Sequence, residues 1–251
     1  MSRLIFAANW KMHLGPAEAR AFLDAYLATH APAPGREVWL FPPAISVETV
    51  AAAVGGRPDI RVGVQNVHWE PRGAFTGETS VAMAAGAGAT AALVGHSERR
   101  HVFGETDGET ARKVHALLAG GLTPVLCVGE QLRDREAGRT WTVVGRQLEA
   151  IGDLDGAALA KLVIAYEPVW AIGTGKTATP ADAGEVHRQI HEWLVHHGAA
   201  APVPVLYGGS VKPDNAAELI AEDGVDGVLV GGASLDPAQW DAIVRAGVRP
   251  N

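Results

Sequence analysis

Eight short apolar runs recur along the chain, at Leu4–Asn9, Val38–Phe41, Ile60–Gln65, Ala91–Gly95, Pro124–Val128, Leu162–Glu167, Val205–Gly208 and Gly227–Val230. Most are apolar at successive positions and do not alternate, which is the pattern of parallel strands covered on both faces. Between them the apolar residues fall at helical spacing. That spacing predicts helices over Pro16–Thr29, Glu105–Ala119, Leu132–Ala150, Pro180–His197, Pro213–Glu222 and Pro237–Ala246, with shorter ones over Ser46–Val54 and Ser80–Ala85. Pro180, Pro213 and Pro237 fall at early helical positions, where a missing N–H costs nothing and φ is already helical. Asp236 precedes Pro237 as an N-cap.

Eight βα units in succession predict a closed, all-parallel (β/α)8 barrel. Right-handed crossovers set each strand beside the previous one, and closure removes exposed edges. An open doubly wound sheet accepts the same alternation. No Ser/Pro-rich linker, charge run or low-complexity tract divides residues 1–251, so one domain is expected. At 47% hydrophobic residues the chain can bury a large core. Its apolar stretches are strand-length, short of the roughly 20 residues of a membrane span. The opening MSRLIFAANWKMHLG has no signal-peptide cleavage site and reads as a first strand, so a cytoplasmic location is expected. One cysteine, Cys127, excludes an internal disulfide and a cysteine-rich zinc site. A net charge of −7 without a Lys/Arg block lacks the footprint of a nucleic-acid binder.

In either fold, chemistry gathers where strands end and helices begin. The first strand ends in Asn9-Trp10-Lys11, and alternate residues of an extended segment share a face, so Asn9 and Lys11 can point together. Lys11 can hold a phosphate or a developing oxyanion. The fourth run leads into Gly95-His96-Ser97-Glu98-Arg99-Arg100, with His96 just ahead of a helical turn. A helix N-terminus disfavours the imidazolium, leaving a neutral ring that can polarise a carbonyl. After the sixth run, Pro168 fixes the exit of the chain and presents Glu167. An apolar shell of Val169, Trp170 and Ile172 would raise its pKa and suit it as a carbon base. The segment from Pro168 to Ala178, apolar in the middle and bounded by Pro and by Gly/Thr/Ala, reads as a hinged lid. Gly208-Gly209-Ser210 and Gly231-Gly232-Ala233 after the last two strands let backbone N–H groups approach an anion, as in the phosphate sites of such barrels.

Other patterns carry less. Gly173-Thr174-Gly175-Lys176-Thr177 imitates the end of a P-loop, but Trp170 stands where that motif needs glycine. The run from Gly86 to Ala91 mimics a dinucleotide fingerprint yet leads into a strand. His187 and His191 have the spacing of metal ligands without a matching third, and read as a solvated face. Cys127 reads as a packed thiol.

Taken in order, these segments resemble the triosephosphate isomerase family over almost the whole chain: Asn9-Trp10-Lys11-Met12, Gly95 to Arg100, Ala165 to Ala178, Tyr207 to Val211 and Leu229 to Ala233. The resemblance implies Glu167 as base, His96 as electrophile, Asn9 and Lys11 as substrate and transition-state contacts, and Gly173, Ser210, Gly231 and Gly232 as phosphate contacts. It implies no cofactor and no metal, and a homodimer in which Gln65–Thr79 reaches the partner. His13 and His68-Trp69-Glu70-Pro71 depart from the usual family pattern.

Overall fold

The computed structural model describes residues 3–172 and 178–246. Eight parallel strands close into a barrel in chain order. They are β1 (Leu4–Asn9), β2 (Arg36–Phe41), β3 (Ile60–Val64), β4 (Ala91–Val94), β5 (Thr123–Val128), β6 (Val163–Tyr166), β7 (Val205–Tyr207) and β8 (Gly227–Val230). Closure is made by β8 on β1, with Ile5 opposite Gly227 and Ala8 opposite Val230. The open-sheet alternative is thereby overturned.

Helices run between and after the strands: α1 (Pro16–Thr29), α2 (Val47–Ala53), α3 (Val81–Gly86), α4 (Ser97–His101), α5 (Asp107–Ala119), α6 (Leu132–Glu136), α7 (Thr140–Glu149), α8 (Gly156–Leu159), α9 (Pro180–His196), α10 (Ala216–Ala221) and α11 (Pro237–Ala246). None of the described helices is long and apolar enough to cross a membrane.

Local chemistry explains where these begin and end. Thr179 caps α9 and exchanges hydrogen bonds with Asp182, with Pro180 in the first turn. Asp236 accepts from the Gln239 amide, as expected of an N-cap for α11. Three expectations are corrected. The helix expected over Leu132–Ala150 is two helices, because Gly138 adopts φ +66° and the Arg139 N–H returns to the Asp134 carbonyl, closing α6. The helix expected from Glu105 starts at Asp107, where Thr106 and Glu109 cap each other and Glu105 is freed for other work. Pro213 lies in a turn anchored by Asn215 Oδ1 on the Lys212 amide, and α10 starts only at Ala216.

Side chains alternate across each strand, and the two faces make two cores. Leu4, Phe6 and Ala8 of β1 pack outward into the layer beneath the helices. Ile5 and Ala7 point inward, where they meet Trp39, Phe41, Leu93, Val125, Cys127, Ala165, Leu206 and Leu229. The barrel is therefore a filled core. Phe41 occupies space left at Gly63, where an added Cβ would lie 2.3 Å from its ring. The same parity carries on past the strand ends, so Asn9, Glu167 and Gly231 continue the inward rows at the C-terminal mouth.

Candidate active site

At the end of β1, Asn9 Oδ1 accepts from the Lys11 amide at 3.0 Å, and the Gln65 side-chain amide donates to the Lys11 carbonyl at 2.8 Å. These bonds hold Lys11 at φ +51°, in the left-handed region that an ordinary side chain adopts at a cost of about 1–2 kcal/mol. Such strain is characteristic of sites where a side chain must be aimed. Lys11 Nζ meets Glu98 Oε1 at 2.7 Å. At the end of the neighbouring β8, an added Cβ on Gly231 would lie 3.2 Å from Lys11 Cε, so a side chain there would press on the ammonium stem.

His96 caps α4. Its Nδ1 faces the Glu98 amide at 3.3 Å, and its Nε2 lies 3.0 Å from Glu167 Oε1. The second carboxylate oxygen, Oε2, accepts from the Ser97 amide at 2.8 Å. Both side chains are almost wholly buried. Burial by itself raises the Glu167 carboxyl, but His96, the Ser97 amide and Lys11 outweigh it and hold it below the usual carboxylate range. On His96 burial pushes down, while Glu167 and then Glu98 pull up more strongly. Because Nδ1 faces an N–H donor, the ring's first proton belongs on Nε2, shared with Glu167.

Of the apolar shell expected around Glu167, Ile172 lines the cavity with it, but Trp170 turns to another carboxylate. Trp170 Nε1 donates to Glu130 Oε1 at 2.8 Å, and the Tyr166 hydroxyl lies 3.2 Å from both Glu130 oxygens. Glu130 is fully buried, and burial raises its pKa despite those donors. Glu130 thus ties the segment that follows β6 to the end of β5. The sequence pattern marks Gln65 only as the end of an apolar run and the start of the partner-reaching segment, and does not mark Glu130. The signal for Glu130 was its place one residue beyond Gly129 at a strand end.

Asn9, Lys11, His96, Glu167, Ser210, Gly231 and Gly232 all line one cavity of about 360 Å³. That volume suits a small ligand. The Gly208–Lys212 and Gly231–Ala233 turns line it beside Lys11, His96 and Glu167, an added Cβ on Gly208 lying 2.9 Å from Glu167 Cγ. Ser234 Oγ donates to the Gly231 and Val230 carbonyls and fixes the latter turn. Gly173 and the P-loop mimic at 173–177 lie outside the described residues.

The remaining patterns resolve structurally. His187 Nδ1 and His191 Nε2 both reach the Gly224 carbonyl at 3.0 Å, and His187 is buried, so these rings are not a solvated face. The fingerprint mimic runs from the end of α3 into β4. Cys127 packs inside the barrel, where burial pushes its thiol pKa well up. Among the described residues no group of three or more His, Cys, Asp or Glu side chains is placed to hold a metal ion.

Comparison with known proteins agrees with this geometry. The model of the family described as triosephosphate isomerase matches residues 4–247. A triosephosphate isomerase of Solibacter usitatus is 47% identical over 250 residues, covering 98% of this chain and 100% of the relative. One from Pseudomonas putida strain GB-1 is 50% identical over 250 residues, covering 98% and 99%, and one from Moorella thermoacetica is 47% identical over 248 residues, covering 98% and 99%. An inward-facing glutamate, a helix-capping histidine and a strained lysine around one cavity, on a barrel matched along its whole length, place this chain in the triosephosphate isomerase family.

Proposed function

We propose that the chain interconverts dihydroxyacetone phosphate and D-glyceraldehyde 3-phosphate, as a step of glycolysis and gluconeogenesis, with Glu167 as the base. The observation that carries this reading is the meeting of Glu167 and His96 at 3.0 Å in a cavity that also holds Lys11. Glu167 removes a proton from C1 of the ketose, and the same carboxyl returns one to C2. His96 Nε2–H and the Lys11 ammonium stabilise the enediolate oxygens. The substrate is an isomer of the product, so the chemistry calls for no redox cofactor and no metal. Asn9 holds Lys11 in place and faces the substrate. Ser210, Gly231, Gly232 and, outside the described residues, Gly173 receive the phosphate.

His96 cannot donate the same N–H to Glu167 and to a substrate oxygen. Substrate binding therefore requires Glu167 to leave His96 and the Ser97 amide for the carbon acid. Once it does, the stronger of the two carboxylate pulls on the imidazole pKa is gone, leaving that of Glu98. Burial and the Glu98 amide then favour the neutral ring, which is the form wanted in an electrophile.

A homodimer is part of this reading. Six large apolar side chains are exposed on the segments following β1 to β4: Met12, Ile45, Phe75, Met83, Val102 and Phe103. Scattered singly they would mean little, but Met12, Phe75 and Phe103 border hollows lined by Gln65, Thr76 and Glu78. A second copy docking through Gln65–Thr79 would cover that face. A cytoplasmic setting fits a lone, buried and unpaired cysteine.

The test is a coupled assay of glyceraldehyde 3-phosphate isomerisation by the parent and Glu167→Gln. The parent turns over and the variant loses about 10³-fold or more in kcat. A parent without isomerase activity would end this reading.

A further inference from the structure

We propose that Arg100, a residue that touches no reacting atom, is the positioning residue that sets His96 against Glu167; this rests on the roles given to those two above. The Arg100 side chain is buried, with 6% exposure, beneath the mouth of the barrel. Its Nε donates to the Gly95 carbonyl at 2.7 Å and its Nη2 to the Cys127 carbonyl at 3.2 Å. Its own amide donates to the His96 carbonyl at 3.0 Å. One residue thus holds the carbonyls on both sides of the His96 α-carbon.

The Cys127 contact carries the link to the base. Val128, next in β5, accepts from the Glu167 amide at 2.7 Å. Beyond it, an added Cβ on Gly129 would lie 1.8 Å from the Glu167 carbonyl oxygen, so the backbones of β5 and Glu167 are in direct contact. The guanidinium therefore clamps the end of β4, which carries His96, to the end of β5, against which Glu167 is seated. The planar fork suits this task because its N–H groups diverge at fixed angles, whereas a lysine could satisfy only part of the set.

The surroundings are shaped for that fork. Gly95 lies at φ +69°, and an added Cβ would sit 2.6 Å from Arg100 Nη2. The Gly95 amide is held from the other side by Glu105 Oε1 at 3.2 Å. Asp107 Oδ1 accepts from Arg100 Nη1 at 2.6 Å and fixes the guanidinium from α5. Carbonyls alone could be met by water, but an arginine braced by a carboxylate cannot drift.

The experiment compares Arg100→Lys and Arg100→Ala with the parent in steady-state isomerisation, with circular dichroism to establish folding and 15N spectra of the His96 ring. A misplacement of about 1 Å at a catalytic group costs about 10²-fold. Folded variants should lose about that much in kcat while KM changes little, the His96 ring resonances should shift, and sub-denaturing guanidinium should restore part of the Arg100→Ala turnover. Folded variants with the parent's kcat and unshifted His96 resonances, losing only melting temperature, would overturn the proposal. If neither variant folds, Asp107→Asn decides: a lower kcat at unchanged KM supports the clamp, and the parent's kcat contradicts it. An inactive parent would instead sink the proposed function, so the two failures are distinguishable.

Discussion

Glu167 and His96 show how two buried titratable groups can define each other. The imidazole keeps the carboxylate ionised despite burial, and the carboxylate keeps a proton on the imidazole. Replacing His96 by Gln retains bulk and a donor but loses the ring held by the Glu98 amide. In steady-state kinetics His96→Gln should lower kcat by about 10²–10³-fold, the usual cost of an oxyanion donor, and near-full turnover would contradict its role. Every described residue assigned to chemistry from the sequence reaches the one cavity; Asn9 and Glu167 extend inward-facing strand rows, whereas His96 follows the outward register of Val94 and comes round only after the left-handed Gly95. What the sequence left hidden was partnership. Trp170 is only three residues from Glu167, yet its indole turns to Glu130, forty residues earlier in the chain. Proximity along a loop says little about which carboxylate an aromatic ring will bury.

At the scale of elements, the barrel was legible because its strands are apolar on both faces and its crossovers permit little else. Boundaries were less so. The periodicity of Leu132–Ala150 is unbroken enough to read as one helix, and only the left-handed turn at Gly138 separates α6 from α7. Similarly, Gln65 continues an apolar run but leaves β3 to bond the Lys11 and Phe41 carbonyls, a long-range demand that no local pattern carries. The segment Gln65–Thr79 is the one through which the proposed dimer would form. His68 stacks on Trp69 and meets the Phe75 ring at a tilt, and Arg112 of α5 lies over Trp69 at 4.2 Å, so the segment is braced by its own chain. Phe103 stands 70% exposed beside it. Light scattering on Phe103→Arg should find a monomer at concentrations where the parent is a dimer, since a charge in an apolar interface core must be desolvated. A parent that is monomeric throughout would refute the dimer.

Across the whole molecule, the catalytic mouth and the opposite end of the barrel meet different demands. Against the Gly224 turn at that opposite end, His187 of α9 is buried with its ring also meeting Tyr166, and burial lowers its pKa to about 4. An unfolded chain binds that proton near pH 6.5, so the folded form loses stability as pH falls from about 6.5 to about 4. The full effect is on the order of 3 kcal/mol, at roughly 1.4 kcal/mol per unit. His191 acts in the opposite sense: its bond to Asp226 raises its pKa, so its contribution is complete in acid and is lost as pH rises through the folded value. Urea titrations of the parent and His187→Gln should therefore show their stability difference moving in favour of the variant between pH 7 and pH 4. An equal difference at both would contradict a neutral, buried His187. Proton transfer by one carboxyl at the other end is the central claim, and exchange with solvent tests it most directly. Dihydroxyacetone phosphate incubated with the protein in D2O should yield glyceraldehyde 3-phosphate carrying deuterium at C2, seen by NMR, at a rate that collapses in Glu167→Gln. Deuterium entering as fast with the variant as with the parent would contradict the account.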